Sequence, residues 1–259
     1  VAATHDEKII AEFSKQAATV VDPKLNLAFV RHMDRLVRFA APELDLDDVV
    51  LEVAAGTGLV ARAIAPRVRH VTALDLTPAM LAQGKRDTDR AGLTNVTFTH
   101  GDAAALPFVD ASFTLVVTRF STHQVGDPGA MLAEMARVGR PGAALIVADI
   151  VRPDGLDGDP DRIERLRDPS HGALLTEARL RELIEAAGAE VKRAERFEFV
   201  RPLEPWLAMA RTSEENAARV RAELTAELDG GPVTGMRPVR ERGEIHFTHT
   251  NLYLQAIVV

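Results

Sequence analysis

Val49-Val50-Leu51-Glu52-Val53-Ala54-Ala55-Gly56-Thr57-Gly58-Leu59-Val60-Ala61 is the stretch whose reading decides the fold. An apolar run broken only by Glu52 reads as a strand buried on both faces, the kind a parallel sheet requires. Gly56 and Gly58 then let the backbone turn sharply and approach a ligand with no Cβ in the way, and the spacing from Ala61 to Ile64 opens a helix. A strand, a glycine turn and a helix N-terminus present free N–H groups and the positive end of a helix dipole, which suits a polar, nucleotide-like ligand. A second apolar run, His70-Val71-Thr72-Ala73-Leu74-Asp75, ends in a carboxylate 19 positions after Gly56. That is close to the offset of about 20 at which an acid meets a ribose diol. Asp75 also reads as a cap ahead of Pro78, and the two roles are compatible.

Outward from this stretch, strands and helices alternate with short turns: helix 59–67, strand 70–75, helix 77–91, strand 96–100, strand 113–120, helix 128–138 and strand 143–150. Strict alternation predicts a doubly wound, mostly parallel α/β sheet with ligands outside the carboxyl ends of the strands. That edge collects Gly56, Gly58, Asp75, Asp102, Arg119, Phe120, His123 and Asp149. Ahead of the sheet, apolar spacing over 5–40 (Ile9, Phe13, Ala17, then Leu27, Phe29, Met33, Leu36) predicts two helices broken near Pro23. They have no place in the sheet and are free to cover the ligand, with Phe13, Lys15 and Gln16 available to do so. Residues 151–172 break the alternation as a Pro-, Gly- and Asp-rich insertion with a short helix at 162–167, the pattern of a lid or substrate wall. Helices over 176–187, 205–211 and 214–228 and strands over 189–200 and 244–259 complete the chain, with Thr77 and Gly188 as helix caps. The expected organisation is one domain: a helical cap over 1–45, a core over 46–150, a lid over 151–172 and a C-terminal sheet half over 173–259.

Composition narrows the function. A net charge of −7 over 259 residues, with no basic stripe, argues against nucleic acid as partner. No apolar run approaches the roughly 20 residues of a membrane span and the N-terminus lacks a signal pattern, so a cytoplasmic protein is expected. The absence of cysteine excludes disulfides, thiolate metal sites and a cysteine nucleophile. His246 and His249 are three apart on a strand and so point to opposite faces, and no metal is expected there. Trp206 reads as a buried aromatic before a pocket wall.

Four ordered segments resemble the class I S-adenosylmethionine-dependent methyltransferases, in the small-molecule branch related to the ubiquinone and menaquinone C-methyltransferases. They are Leu51-Glu-Val-Ala-Ala-Gly-Thr-Gly58, Thr72-Ala-Leu-Asp-Leu-Thr-Pro-Ala-Met-Leu81, Gly101-Asp-Ala-Ala-Ala-Leu-Pro-Phe108 and Arg137-Val-Gly-Arg-Pro-Gly142, and they cover roughly 49–150. The resemblance implies a seven-stranded Rossmann-like methyltransferase fold with S-adenosyl-L-methionine as cofactor. Glu52, Ala54, Gly56 and Gly58 would receive its amino-acid end, and Asp75 its ribose. Leu76 and Met80 would pack on adenine, Asp102 and Ala103 would face the adenine amino group, and Arg119 would line the methionine end, while Gln16 would bind the cofactor from the covering helix. Glu52 stands where the family commonly has Asp, and Ala54 and Ala55 where it has Gly and Cys. The segments Thr118-Arg-Phe-Ser-Thr-His123 and Arg165-Leu-Arg-Asp-Pro-Ser-His171 are similar to parts of a subgroup of uncharacterised and natural-product methyltransferases, in which the strand-four residues line the methionine end and the Asp-Pro-Ser-His loop lies near the acceptor.

Methyl transfer from a sulfonium needs orientation, plus a base where the acceptor loses a proton. His123 is the first candidate base, since an ordinary pKa of about 6.5 suits proton uptake near neutrality. His171 is the second, and Asp149 is a possible partner for either. The acceptor is expected to be a small molecule, and the oligomeric state, monomer or homodimer, stays open. Two other functions share these features. A fold that binds S-adenosylmethionine without methylating, as a cyclase or regulatory module does, is one. The other is an NAD-dependent oxidoreductase, because Gly56-x-Gly58-x-x-Ala61 with Asp75 also satisfies the dinucleotide fingerprint.

Overall fold

The computed structural model describes residues 3–20, 22, 25, 30 and 32–259. Strands β1 (Val49–Val53), β2 (His70–Asp75), β3 (Val96–His100), β4 (Phe113–Arg119) and β5 (Gly139–Val151) are joined through α3 (Leu59–Ile64), α4 (Pro78–Arg90) and α5 (Pro128–Val138). The sheet order is β3-β2-β1-β4-β5-β8-β6, with β6 spanning Ala189–Pro202 and β8 Glu244–Val258. The pairs among β1 to β5 are parallel, so those strands end at one edge, while β8 runs antiparallel between β5 and β6. The strand order reverses between β1 and β4, which is where an open α/β sheet leaves a crevice.

Among the described residues the sheet has eight strands where seven are expected from the resemblance. Pro238–Glu241 forms an additional short strand, β7, hairpinned onto the start of β8. Its turn holds Arg242 and Gly243 at φ 52° and 86°, a conformation that a two-residue hairpin loop requires. β5 starts four residues earlier than its apolar run, because Gly139 pairs with Phe113 across an irregularity in the register.

Successive residues of β1 and β4 alternate between two cores, as a pleated strand dictates. Leu51, Val53 and Val116 pack with Met131, Leu132 and Met135 of α5 and with Leu180 and Ile184 of α7 (Glu177–Ala186). Val50, Leu115 and Val117 pack on the opposite side with Leu36 and Phe39 of α2 (Met33–Ala40) and Val60, Ala61 and Ile64 of α3. Trp206 belongs to a third cluster with Ile163, Leu207, Val220 and Phe247, contributed by α6 (Pro160–Arg167), α8 (Leu203–Met209), α9 (Glu214–Leu228) and β8. At 2% exposure it is a core residue.

Of the two N-terminal helices, α1 (His5–Gln16) and α2 are seen, while Pro23, Leu27 and Phe29 lie outside the described residues. Asp127 and Asp159 cap α5 and α6, each accepting from a backbone N–H in the first turn. Thr77 stands at the N-cap of α4, but its side chain makes no capping bond there. The insertion folds as predicted in outline, with its helix beginning at Pro160 because Asp159 and Pro160 form a ready-made helix start. Among the described residues no helix is long and apolar enough to cross a membrane.

Gly84 lets α4 rest directly on the glycine turn. A Cβ at this position would lie 2.6 Å from both the Thr57 carbonyl oxygen and Phe98 Cε1. Alanine favours an isolated helix by about 1 kcal/mol, whereas overpacking against fixed backbone costs about 1–3 kcal/mol. Gly84→Ala is therefore expected to lower the thermal midpoint, and a raised midpoint in a denaturation scan would show that the turn yields without cost.

Candidate active site

At the carboxyl edge of β1, β2 and β4 lies a cavity of about 380 Å³, covered by Ile9, Phe13 and Gln16 of α1. Glu52, Ala54 and Gly56 line it from the β1–α3 turn, and Asp75, Leu76 and Met80 from the β2–α4 turn. Asp102 and Ala103 follow β3, and Arg119 with Phe120 closes β4. Three predicted site residues are not in its walls. Gly58 sits one layer back as the N-cap of α3, at φ 68°. His123 and His171 are buried behind the wall, at 7% and 4% exposure.

The glycine turn is built from three left-handed residues, Ala54, Gly56 and Gly58, at φ 52°, 56° and 68°. Ala54 thus carries a Cβ in a conformation that favours glycine, at a cost of about 1–2 kcal/mol. Asp75 fixes the turn from below: the Gly56 N–H donates to Oδ2 at 2.7 Å and the Thr77 N–H to Oδ1 at 2.8 Å. Burial pushes the Asp75 carboxyl above its ordinary pKa, against those two bonds. A carboxylate has about four lone-pair sites, so two backbone bonds leave capacity for a diol.

Glu52 is 2% exposed and accepts the Ala61 N–H at 2.7 Å, one of the donors a first helical turn leaves unpaired. Its extra methylene relative to Asp provides that reach. Burial raises its carboxyl to about 7, despite the Ala61 bond and nearby Arg62 and Arg119. The Arg119 guanidinium lies 4.3 Å over the Phe120 ring, and burial lowers it to about 10. Asp102 accepts the Ala104 N–H through Oδ1 at 2.8 Å. The walls thus present acids at three separate points and an apolar slot between Leu76 and Met80. That arrangement fits a ligand with a cationic amino-acid end, a ribose and a purine.

The turn after β4 is held by one carboxylate. Asp149, 1% exposed, accepts the N–H groups of Ser121 and Thr122 and the Thr122 hydroxyl on Oδ2, while Oδ1 meets His123 Nδ1 at 2.6 Å. Burial alone pulls the His123 imidazole down, but the Asp149 charge and hydrogen bond outweigh it and the net shift is upward. Of the two candidate histidines, Asp149 pairs with His123. His171 Nε2 has its own carboxylate, Asp161 Oδ1 at 2.7 Å, and the two imidazole centroids are 5.7 Å apart. A third pair, His249 with Glu164 at 3.0 Å, stands behind them, and burial depresses His249 to about 4.

The insertion joins the site through Asp168, which accepts from Ser170 and from Gln16 Nε2 at 2.9 Å. Lys15 instead pairs with Glu12 on the exposed side of α1. Sequence reasoning missed Asp161, Glu164 and Gln124. No motif or spacing marks them; the only available signal was that each lies near a histidine in the chain.

Residues 50–142 match a family described as a methyltransferase domain. YafE of Escherichia coli is 33% identical over 163 residues, 61% of this chain and 77% of its own. A demethylmenaquinone methyltransferase of Renibacterium salmoninarum is 43% identical over 104 residues, which span 40% of this chain and 42% of that enzyme. The crystal structure of a candidate methyltransferase from Bacillus halodurans superposes with a TM-score of 0.78 at 28% identity, covering 87% of this chain and 97% of that one. Parallel topology, left-handed turn, acid-lined cavity and these matches agree, and the chain belongs to the class I S-adenosylmethionine-dependent methyltransferases.

Proposed function

We propose that this chain transfers a methyl group from S-adenosyl-L-methionine to a small-molecule acceptor. One observation carries the proposal: a single cavity joins the glycine turn and its acids to a second region bounded by Phe13, Phe120, Ser121 and Gln124. When bound, the cofactor supplies a methyl group on a cationic sulfur, which a nucleophile displaces in line. In this reading Glu52, Ala54, Gly56 and Arg119 receive the amino-acid end, with Gln16 above it. Asp75 takes the ribose hydroxyls, Leu76 and Met80 flank adenine, and Asp102 with Ala103 meets its amino group. Gly58 acts indirectly, by setting the direction of α3. A net charge of −7 and a cavity of about 380 Å³ support a small acceptor over nucleic acid. The acidic, cysteine-free composition is in keeping with a cytoplasmic setting.

The proposed base is His123. Asp149 fixes Nδ1 as the donor end of the ring, which leaves Nε2 to take the acceptor's proton. Since the ring stands behind Ser121 and Gln124, proton uptake runs through one bridging water or a small side-chain movement at that wall. His171, bonded to Asp161, holds the 168–172 loop behind His123 and plays a structural part.

The defining experiment adds methyl-labelled S-adenosylmethionine and a panel of phenols, quinols and amines to the purified chain. Label in an acceptor is expected. Binding of S-adenosylhomocysteine without label transfer would instead support a non-methylating function, and absence of binding would defeat the reading altogether.

Two further outcomes are expected. Because the His123 base must be neutral, kcat/KM should rise with pH through a value above the ordinary imidazole pKa. Asp149→Asn should move that limb to lower pH and reduce kcat by about 100-fold; an unshifted limb would remove His123 as base. Glu52, with a pKa near 7 in the free protein, should release a proton at about pH 6–7 as a cationic ligand approaches. Calorimetric titration with S-adenosylhomocysteine in buffers of different ionisation enthalpy should detect this release, and Glu52→Gln should abolish it.

A further inference from the structure

Away from the cavity, α2 and the edge strand β6 enclose a cleft of about 540 Å³, lined by Arg35, Arg38 and Phe39 of the helix and Arg193, Ala194 and Glu195 of the strand. The two linings have no described residue in common. Backbone register separates them: Arg119, in the cavity wall, is level with Ala148, Tyr253 and Glu195 on successive strands. Three strand spacings of about 4.8 Å put the cleft roughly 14 Å across the sheet from the cavity.

The guanidiniums of this cleft are held in place without being used up. Arg35 lies 3.6 Å over the Phe197 ring and donates to Glu195 Oε1 through Nε at 2.5 Å, which leaves the N–H groups of Nη1 and Nη2 with no acceptor among the described residues. Arg193 lies 4.5 Å over the Phe39 ring; its Nε is closed to solvent and Nη2 donates to the Phe39 carbonyl at 2.6 Å, so Nη1 is the end it offers. Both side chains stay open to solvent, at 35% and 36% exposure. Arg38, one turn on from Arg35 and exposed, makes no hydrogen bond or ion pair with a described residue. Two acids offset the three cations, Glu195 in the cleft and Glu43 at 3.6 Å from Arg193, so one positive charge stays in excess in a chain of net charge −7.

Stacking on Phe197 and Phe39 fixes two of the three guanidiniums, so little side-chain ordering remains for a ligand to impose. A guanidinium offers coplanar N–H pairs that match two oxygens of one anion, and several such forks around one cleft suit a group with three or more oxygens. We propose that this cleft is a second binding site, for the phosphoryl oxyanion of a small molecule, with Arg38 as its unpaired cation. The proposal stands apart from the methyl-transfer reading, because it uses none of the cavity residues.

The test is an amide NMR titration of the full chain at constant ionic strength with sodium pyrophosphate, inorganic phosphate, phenyl phosphate and acetate. Pyrophosphate should shift the amides of residues 35–39 and 193–195 saturably, with a Kd of about 1 mM or tighter, and added S-adenosylhomocysteine should leave that Kd unchanged within about twofold. Arg38→Ala breaks no hydrogen bond or ion pair to a described residue. It should weaken pyrophosphate about tenfold, the loss of one charge-assisted hydrogen bond, and Arg38→Glu should abolish binding. Phenyl phosphate binding more tightly than inorganic phosphate would support the proposal with an ester as the ligand, and the reverse order would support it with the free anion. No saturable shift at the cleft, acetate binding as tightly as inorganic phosphate, or an unchanged pyrophosphate affinity in Arg38→Ala would each overturn it. Displacement of pyrophosphate by S-adenosylhomocysteine would place the anion in the cavity and overturn it as well.

Discussion

The Asp75 carboxylate is the constraint on which the site depends. It sits at the end of β2 and receives one backbone N–H from each of two turns, Gly56 after β1 and Thr77 after β2. A third bond, from the Ala55 N–H to the Leu74 carbonyl at 2.9 Å, ties the same two strand ends together. Hydrogen bonds to a charged group contribute about 1.5–3 kcal/mol each, which offsets the strain of Ala54 and the burial of the acid. Where α3 and α4 begin, and hence the width of the cavity between them, follows from this junction.

The same device recurs along the edge. Glu52 holds the first turn of α3, Asp149 the turn after β4, and Asp161 the Leu174 N–H at 2.8 Å together with His171. Each acid is placed by a strand or helix end and accepts backbone donors that irregular chain leaves unpaired. Loops built this way have their backbone donors satisfied as well as being buried, so the polar walls are formed before a ligand arrives and little ordering is left to the binding step.

The sheet and the turns and acids that line the cavity were legible in the sequence because backbone geometry dictates the residues there. A buried parallel strand demands an apolar run, a left-handed turn demands glycine, and Pro78 marks a helix start; Glu52, Asp75 and Asp102 could be placed from their offsets to those marks. The histidine–carboxylate pairs behind the cavity wall were less legible. Which carboxylate meets which imidazole depends on contacts between segments far apart in the chain, so Asp149 could be assigned to either histidine and Asp161 passed unnoticed. Gln124 acquires its meaning only from its place beside α1, 119 positions away from His5. The extra strand at 238–241 was missed because Pro238, Arg240 and Glu241 give a solvated edge strand no apolar alternation to reveal it.

The bond between Gln16 and Asp168 has one consequence for the order of events. Gln16 ends the helix that roofs the cavity, and Asp168 opens the loop that backs the far wall. Roof and rear wall are thereby joined by one buried hydrogen bond, and parting them would leave both groups without that partner. Any molecule that left the cavity by displacing α1 would have to break that bond, whichever end of the cavity it had occupied.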